Sequence, residues 1–143
     1  MRRWRELGKL VRLREIREQQ ARRALGEANR RALAAREALE AREEAHRRIP
    51  ELPAVLSPVQ LRALQLQGIR SLELLTEAAT AYAASLEEAE RARQGWRHAH
   101  GQLESAKRLE QRRKEEAVRR ARLAAQRSLD QLMLTLREGR RWT

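Results

Sequence analysis

Histidines and adjacent glutamates are the side chains of this sequence whose types could support metal binding or acid–base catalysis. His98 and His100 are two residues apart, so on a helix they point about 200° away from each other and cannot bind one metal ion together. His46 is the third histidine and stands alone. The paired glutamates have arginine nearby, which predicts charged faces in contact with solvent. These pairs are Glu43/Glu44, Glu87/Glu88 and Glu115/Glu116. We therefore expect structural or solubilising roles and no metal site.

Other catalytic devices are also missing from the sequence. The absence of cysteine excludes a thiol nucleophile, a disulfide framework and a cysteine-based metal site. The six glycines are scattered singly, so there is no glycine-rich phosphate loop, and no serine nucleophile elbow occurs. Arg, Ala, Leu, Glu and Gln dominate the composition, which is typical of long helices or coiled coils. Because such a fold offers no water-excluding pocket, we predict neither enzymatic activity nor a cofactor.

All three prolines lie within nine residues and mark a break between two helices. Proline lacks an N–H and disfavours helix in the residue before it. The sequence therefore predicts one helix over about residues 3–48, a proline-rich turn over 49–57, and a second helix over about 58–138. Ser57 is placed to cap the second helix, and Gln60 completes a capping box.

Apolar residues at alternating spacings of three and four predict that each helix buries one seam. A short connection between two such helices favours an antiparallel arrangement. The predicted fold is all-α: a single domain over 1–143, built as an antiparallel two-helix coiled-coil hairpin whose second helix is longer and overhangs the first. The predicted seam residues are Leu25, Ala28, Leu72, Leu75, Tyr82 and Trp96.

The proline-rich turn also predicts a register between the helices. If the chain folds back at the middle of the turn, residues whose numbers sum to about 106 lie opposite each other. The N-terminal end of the first helix then lies opposite about Leu103. Arg14 and Glu18 then come level with Arg93, and a contact between Glu18 and Arg93 could set the register. Gly95 and Gly101 leave open a break at which the last segment folds back, because each costs about 1 kcal/mol inside a helix.

The last segment carries an amphipathic stripe, from Val118 to Leu136, that has no partner within the predicted hairpin. Residues 1–50 and 97–143 each have a net charge of +7, and residues 51–96 have −2. We therefore predict that the open, basic end of the hairpin binds a partner with acidic groups. The predicted partner-binding residues are Arg5, Lys9, Arg12, Arg120, Arg127, Leu129, Leu132 and Leu136.

Other interpretations of the basic surplus stay open. Arginines can neutralise the phosphates of nucleic acid, but here they alternate with glutamates and few aromatic residues could stack on bases, which disfavours that partner. The last helix could instead bind an anionic membrane surface, or the chain could be a generic scaffold that self-associates. The longest weakly apolar stretch, residues 78–84, is far below the roughly 20 residues that span a bilayer. With its charged N-terminus, the chain is expected to be cytoplasmic and without membrane insertion.

The segment Leu10–Glu18, with the sequence LVRLREIRE, followed by Ala21, Leu25 and Ala28, is similar to the N-terminal pattern of the flagellar FliJ family. The chain length, the turn near residue 50 and the charged last helix with Leu129-Asp130 also resemble that family.

This resemblance implies a non-enzymatic coiled-coil protein of the flagellar and type III export apparatus. It implies a stalk that enters the export ATPase hexamer, promotes assembly of the ring and links it to the export gate. It also implies contact with export chaperones. The implied location is cytoplasmic, at the inner face of the cell membrane at the flagellar base.

Overall fold

The computed structural model describes residues 2–50 and 55–141, which form an all-α two-helix hairpin, as predicted. Helix α1 spans Arg2–Arg47 and helix α2 spans Pro58–Arg141. No strand occurs among the described residues. The observed helix ends lie within three residues of the predicted ones. Residues 51–54 of the predicted turn lie outside the described residues.

Helix α2 begins with the capping box that the sequence predicted. The Ser57 hydroxyl accepts a hydrogen bond from the Gln60 backbone N–H at 3.2 Å, and Gln60 Oε1 accepts one from the Ser57 N–H at 3.2 Å. Leu61 N–H donates to the Ser57 carbonyl at 3.0 Å. The reciprocal pair satisfies two backbone N–H groups at the helix start, which fixes the first turn of α2 at Pro58, the last of the three prolines.

Helix α2 is continuous through Gly95 and Gly101, so the break that the sequence left open does not occur. Neither glycine has a positive φ angle. A Cβ atom added at either position would meet no other atom within 4 Å, apart from the local helix backbone. Neighbouring contacts therefore do not require glycine at these two positions.

We expect Gly95→Ala and Gly101→Ala each to raise the free energy of unfolding by about 0.5 to 1 kcal/mol, because alanine loses less backbone entropy in a helix. Urea denaturation followed by far-ultraviolet circular dichroism measures the change. Gly68→Ala, which also has open space around its Cβ position, is the matched control and should show a similar gain. A loss of stability at Gly95 or Gly101 alone would contradict this prediction.

The contacts of the chain divide it into two compact units. One unit comprises Arg17–Ala99, and the other comprises Met1–Ile16 with His100–Thr143. The buried residues of the first include Glu18, Ala28, Ala32 and Ala89, and those of the second include Leu7, Leu103 and Ala106. The buried side chains are few and four of these seven are alanine, so the two helices are joined by a thin contact seam and not by a thick core.

Leu72 lies outside the contact row of α2, which corrects the prediction that it is a seam residue. It is 51% exposed, whereas Ser71 before it is partly buried. Leu75, Tyr82 and Trp96 are partly buried. On α1, the predicted seam residues are Leu25, which is partly buried, and Ala28, which is buried.

The predicted contact row of α2 and the observed one are easily exchanged, because every second position belongs to both rows. Both rows contain Leu75, Tyr82, Ala89 and Trp96, at intervals of seven residues. The intervening positions of the predicted row are Leu72, Ala79, Leu86 and Arg93, and those of the observed row are Ser71, Ala78, Ser85 and Ala92. The observed row places small side chains between the helices, which allows their axes to approach closely and leaves the charged side chain in solvent.

The register of the hairpin in Arg17–Ala99 also differs from the prediction. Trp96 Nε1 donates a hydrogen bond to Glu18 Oε1 at 3.0 Å. His46 Nδ1 and Ser71 Oγ share another at 3.0 Å. The numbers of these partners sum to 114 and 117, not to about 106. The predicted register was wrong because it placed the fold at the middle of the proline-rich turn, whereas the first ten or so residues of α2 run past the end of α1.

Glu18 is the most deeply buried charged residue that the structure describes, with 4% of its surface exposed. Besides the bond from Trp96, it accepts a hydrogen bond from Arg22 Nη2 at 2.7 Å. The predicted contact with Arg93 is replaced by these bonds, and Arg93 instead forms an ion pair with Glu90 on its own helix, at 3.1 Å. The Glu18 carboxylate accepts hydrogen bonds from a guanidinium and from an indole, so its charge is well satisfied although it lies in the seam.

Candidate partner-binding surface

The terminal segment of α2, residues 118–141, extends beyond the part of the helix that packs on α1. Ala117 is partly buried, whereas every residue of the terminal segment is exposed. The register in this unit agrees, because Arg14 Nη1 donates a hydrogen bond to Gln102 Oε1. That pair brings the start of α1 level with about residue 114 of α2. The second helix is therefore the longer one, as predicted, although its overhang begins about ten residues later than expected.

The terminal segment is helical because its own residues favour helix. Alanine, leucine, arginine and glutamine supply most of its positions, it has no proline, and its single glycine is at position 139. Ser128 Oγ and Thr135 Oγ1 donate hydrogen bonds to backbone carbonyls of the preceding turn, at 3.0 Å and 2.6 Å. These bonds keep the small polar side chains close to the helix surface and leave the longer side chains to define it.

Leu129, Leu132 and Leu136 project from the terminal segment with more than half of their surface exposed. Val118 is exposed to a similar degree. A contiguous row of large apolar side chains in water is uncommon in a soluble protein and typically marks a surface that a partner covers.

The terminal segment is also strongly basic. It contains seven arginines and two acidic residues, a net charge of +5. Arg120 and Arg127 are among these arginines, and both are exposed. Such a segment attracts a negatively charged surface over a distance of about 8 to 10 Å at physiological ionic strength, before any apolar contact forms.

An open groove of about 840 Å³ lies beside the first turn of α1. Its lining combines four arginines and one glutamate with an indole ring. The lining residues are Arg3, Trp4, Leu109, Arg112, Arg113, Glu116, Ala117 and Arg120. Arg120 thus lies at the junction of the two helices, whereas Arg127 lies farther along α2 with the leucines.

Arg5, Lys9 and Arg12 lie on the outer face of α1. At 100° per residue they are about 140° to 200° around the helix from the buried Leu7, and all three are exposed. The structure therefore does not bring these three residues together with the leucines of the terminal segment. The predicted partner-binding residues separate into a basic outer face on α1 and an apolar and basic surface on α2.

The side chains first considered for catalysis or metal binding occupy other places. His46 lies in the seam of Arg17–Ala99, where it bonds to Ser71, and His100 is partly buried. No group of three or more histidines or carboxylates is arranged to hold a metal ion in the part of the chain that the structure describes. No helix within residues 2–50 and 55–141 has the length and apolarity needed to cross a bilayer.

Sequence reasoning missed the polar partners that cross the seam. Ser71 and Gln102 were not identified, although each bonds to a polar residue of α1 that interrupts the apolar spacing. The interruptions at Arg14 and His46 were visible, and a polar residue at a matching position of the second helix was the available signal. The signal could not be used because the assumed register was wrong by about ten residues.

A family model described as "Flagellar FliJ protein" matches residues 3–140, which is nearly the whole chain and includes both helices and the terminal segment. No curated protein and no solved structure matches.

Proposed function

This chain belongs to the flagellar FliJ family, coiled-coil proteins of the flagellar export apparatus, and on that premise we propose that it is a central stalk of the export ATPase ring. In this proposal the terminal segment of α2 binds the ATPase, promotes assembly of its hexamer and couples the ring to the export gate. The observation that supports it is the row formed by Leu129, Leu132 and Leu136, exposed on a helix that α1 does not cover.

Burial of these leucines supplies the main favourable contribution to binding. Full burial of a leucine stabilises by about 1.5 to 3 kcal/mol, and each of the three is more than half exposed, so together they contribute roughly 3 to 5 kcal/mol. The net charge of +5 favours an acidic site and accelerates encounter. Apolar contact and charge thus act on the same 24 residues, which suits a helix that docks on an acidic surface.

The export gate and export chaperones are further partners in this proposal, at the inner face of the membrane at the flagellar base. They need a surface that the ATPase leaves open. Val59, Leu66 and Ile69 of α2 are exposed apolar side chains of the other compact unit and could serve those contacts. The role proposed for the chain is to bind and couple proteins, with no chemical step of its own.

The proposal is tested by mixing the full chain with the export ATPase of the same organism. We expect an increase in the hexamer fraction, measured by analytical ultracentrifugation, together with faster ATP turnover. An unrelated protein of equal positive charge is the control, because it should reproduce neither effect. If the chain changes neither assembly nor turnover, the stalk role is wrong. If the chain then binds duplex nucleic acid or acidic vesicles with an affinity that falls as salt is added, the alternative role of binding an anionic surface is favoured.

A further inference from the structure

The charged residues of the terminal segment lie on one side of the helix. At 100° per residue, its seven arginines and two acidic residues all fall within an arc of about 160°. The remaining arc of about 200° carries no charge, and we call it the neutral face. The neutral face consists of Val118, Ala121, Ala124, Ala125, Ser128, Leu129, Gln131, Leu132, Thr135, Leu136 and Gly139.

The neutral face continues the surface on which α1 packs. Ala117 is the last partly buried position of the contact row, and its direction around the helix falls within the same uncharged arc. The neutral face therefore starts where α1 ends and extends the established helix–helix interface along α2. Its arc of about 200° exceeds the minimum of about 100° that is typical of a helix stripe facing a core, so it is wide enough for the walls of a groove to contact it.

The exposed fractions of the apolar side chains do not show which side of the terminal segment a partner binds. Leu129, Leu132 and Leu136 on the neutral face are 62%, 58% and 65% exposed. Leu123 and Leu134 are exposed to 50% and 59%, but lie within the charged arc. Burial of these last two would also bury neighbouring charges, which is costly unless each charge finds a partner.

We infer that the partner of the terminal segment covers the neutral face only, through an apolar groove bordered by acidic groups, and leaves the charged arc at the rim. A second copy of this chain is a poor occupant, because two segments of net charge +5 repel each other. This inference rests on the proposed function for the identity of the partner, which is the export ATPase.

The absence of cysteine allows a direct test by single-cysteine footprinting. Five full-length variants are compared: Leu129→Cys, Leu132→Cys and Leu136→Cys on the neutral face, and Leu123→Cys and Leu134→Cys in the charged arc. The rate of alkylation by a small maleimide is measured with and without the export ATPase. We expect the ATPase to slow alkylation about tenfold or more on the neutral face and less than about twofold in the charged arc.

Two results overturn the inference in different ways. Equal protection of all five positions, or stronger protection of Leu123→Cys and Leu134→Cys, shows that the neutral face is not the bound side, while the ATPase interaction itself stands. Failure of the unmodified chain to bind the ATPase, measured first by sedimentation, removes the proposed function and this inference together. Circular dichroism of each variant confirms that the helix content is unchanged.

Discussion

Replacing both Leu132 and Leu136 with aspartate is expected to abolish stimulation of the export ATPase and to weaken binding at least about 100-fold. Both side chains are exposed in the isolated chain, so aspartate leaves the seam intact there. In the complex the same positions would bury two carboxylates in an apolar groove bordered by acidic groups. An uncompensated buried charge costs about 3 to 5 kcal/mol, which exceeds the roughly 2.7 kcal/mol that a 100-fold loss requires.

The matched control for this pair is Leu123→Asp with Leu134→Asp. It makes the same change of charge in the same helix at positions of similar exposure, but within the charged arc. We expect at least half of the stimulation to survive in the control. Turnover is measured over a range of chain concentrations, so that affinity and maximal stimulation are separated. Equal loss in both pairs would mean that net charge, and not the neutral face, determines binding.

Trp96→Ala is expected to produce the largest loss of stability among single substitutions in the seam, about 3 kcal/mol. The substitution removes an indole that fills the contact between the helices, and it also removes a hydrogen bond to the buried carboxylate of Glu18. Glu18 keeps the bond from Arg22 but loses a donor in a site where little water enters. Urea denaturation followed by circular dichroism measures the loss.

Two further variants separate packing from hydrogen bonding at this position. Trp96→Phe keeps most of the ring volume and removes the N–H, so it should cost about 1 to 2 kcal/mol. Trp4→Ala deletes the same side chain at a more exposed site, where 37% of the residue surface meets solvent, and should cost less than Trp96→Ala. If Trp96→Phe is as harmful as Trp96→Ala, the hydrogen bond matters more than the packing. A loss below about 1 kcal/mol in Trp96→Ala would contradict the role given to this residue.

The main features of the fold could be predicted from local chemistry. Three clustered prolines and the Ser57–Gln60 capping box define where α2 begins, and these signals act within a few residues of one another. The spacing of apolar residues also identified the shared contact positions, such as Tyr82 and Trp96. Gly95 and Gly101 were ambiguous because their cost is small compared with the contacts of a long packed helix, and the structure resolves the ambiguity in favour of a continuous α2.

The register and the choice between neighbouring rows depend on contacts across the chain, and the sequence pattern did not define them. Hydrophobicity favoured Leu72, whereas close approach of the helices favours Ser71. Glu18 was expected to contact Arg93, but its partner across the seam is Trp96, which the predicted register does not place opposite it. The structure leaves the leucines of the terminal segment exposed on α2, whereas the outward direction of Arg5, Lys9 and Arg12 depends on where the seam of α1 faces.

The small residues of the contact row restrict how such a sequence can change during evolution. At Ala28 and Ala89, where almost no surface is exposed, a larger side chain would push the helices apart, while serine or glycine would be accommodated. The exposed arginines and glutamates have no such steric restriction, so other polar residues can replace them. Homologues should therefore diverge rapidly in overall identity while the spacing of small side chains persists, so an alignment weighted by position will detect distant members that a pairwise comparison overlooks.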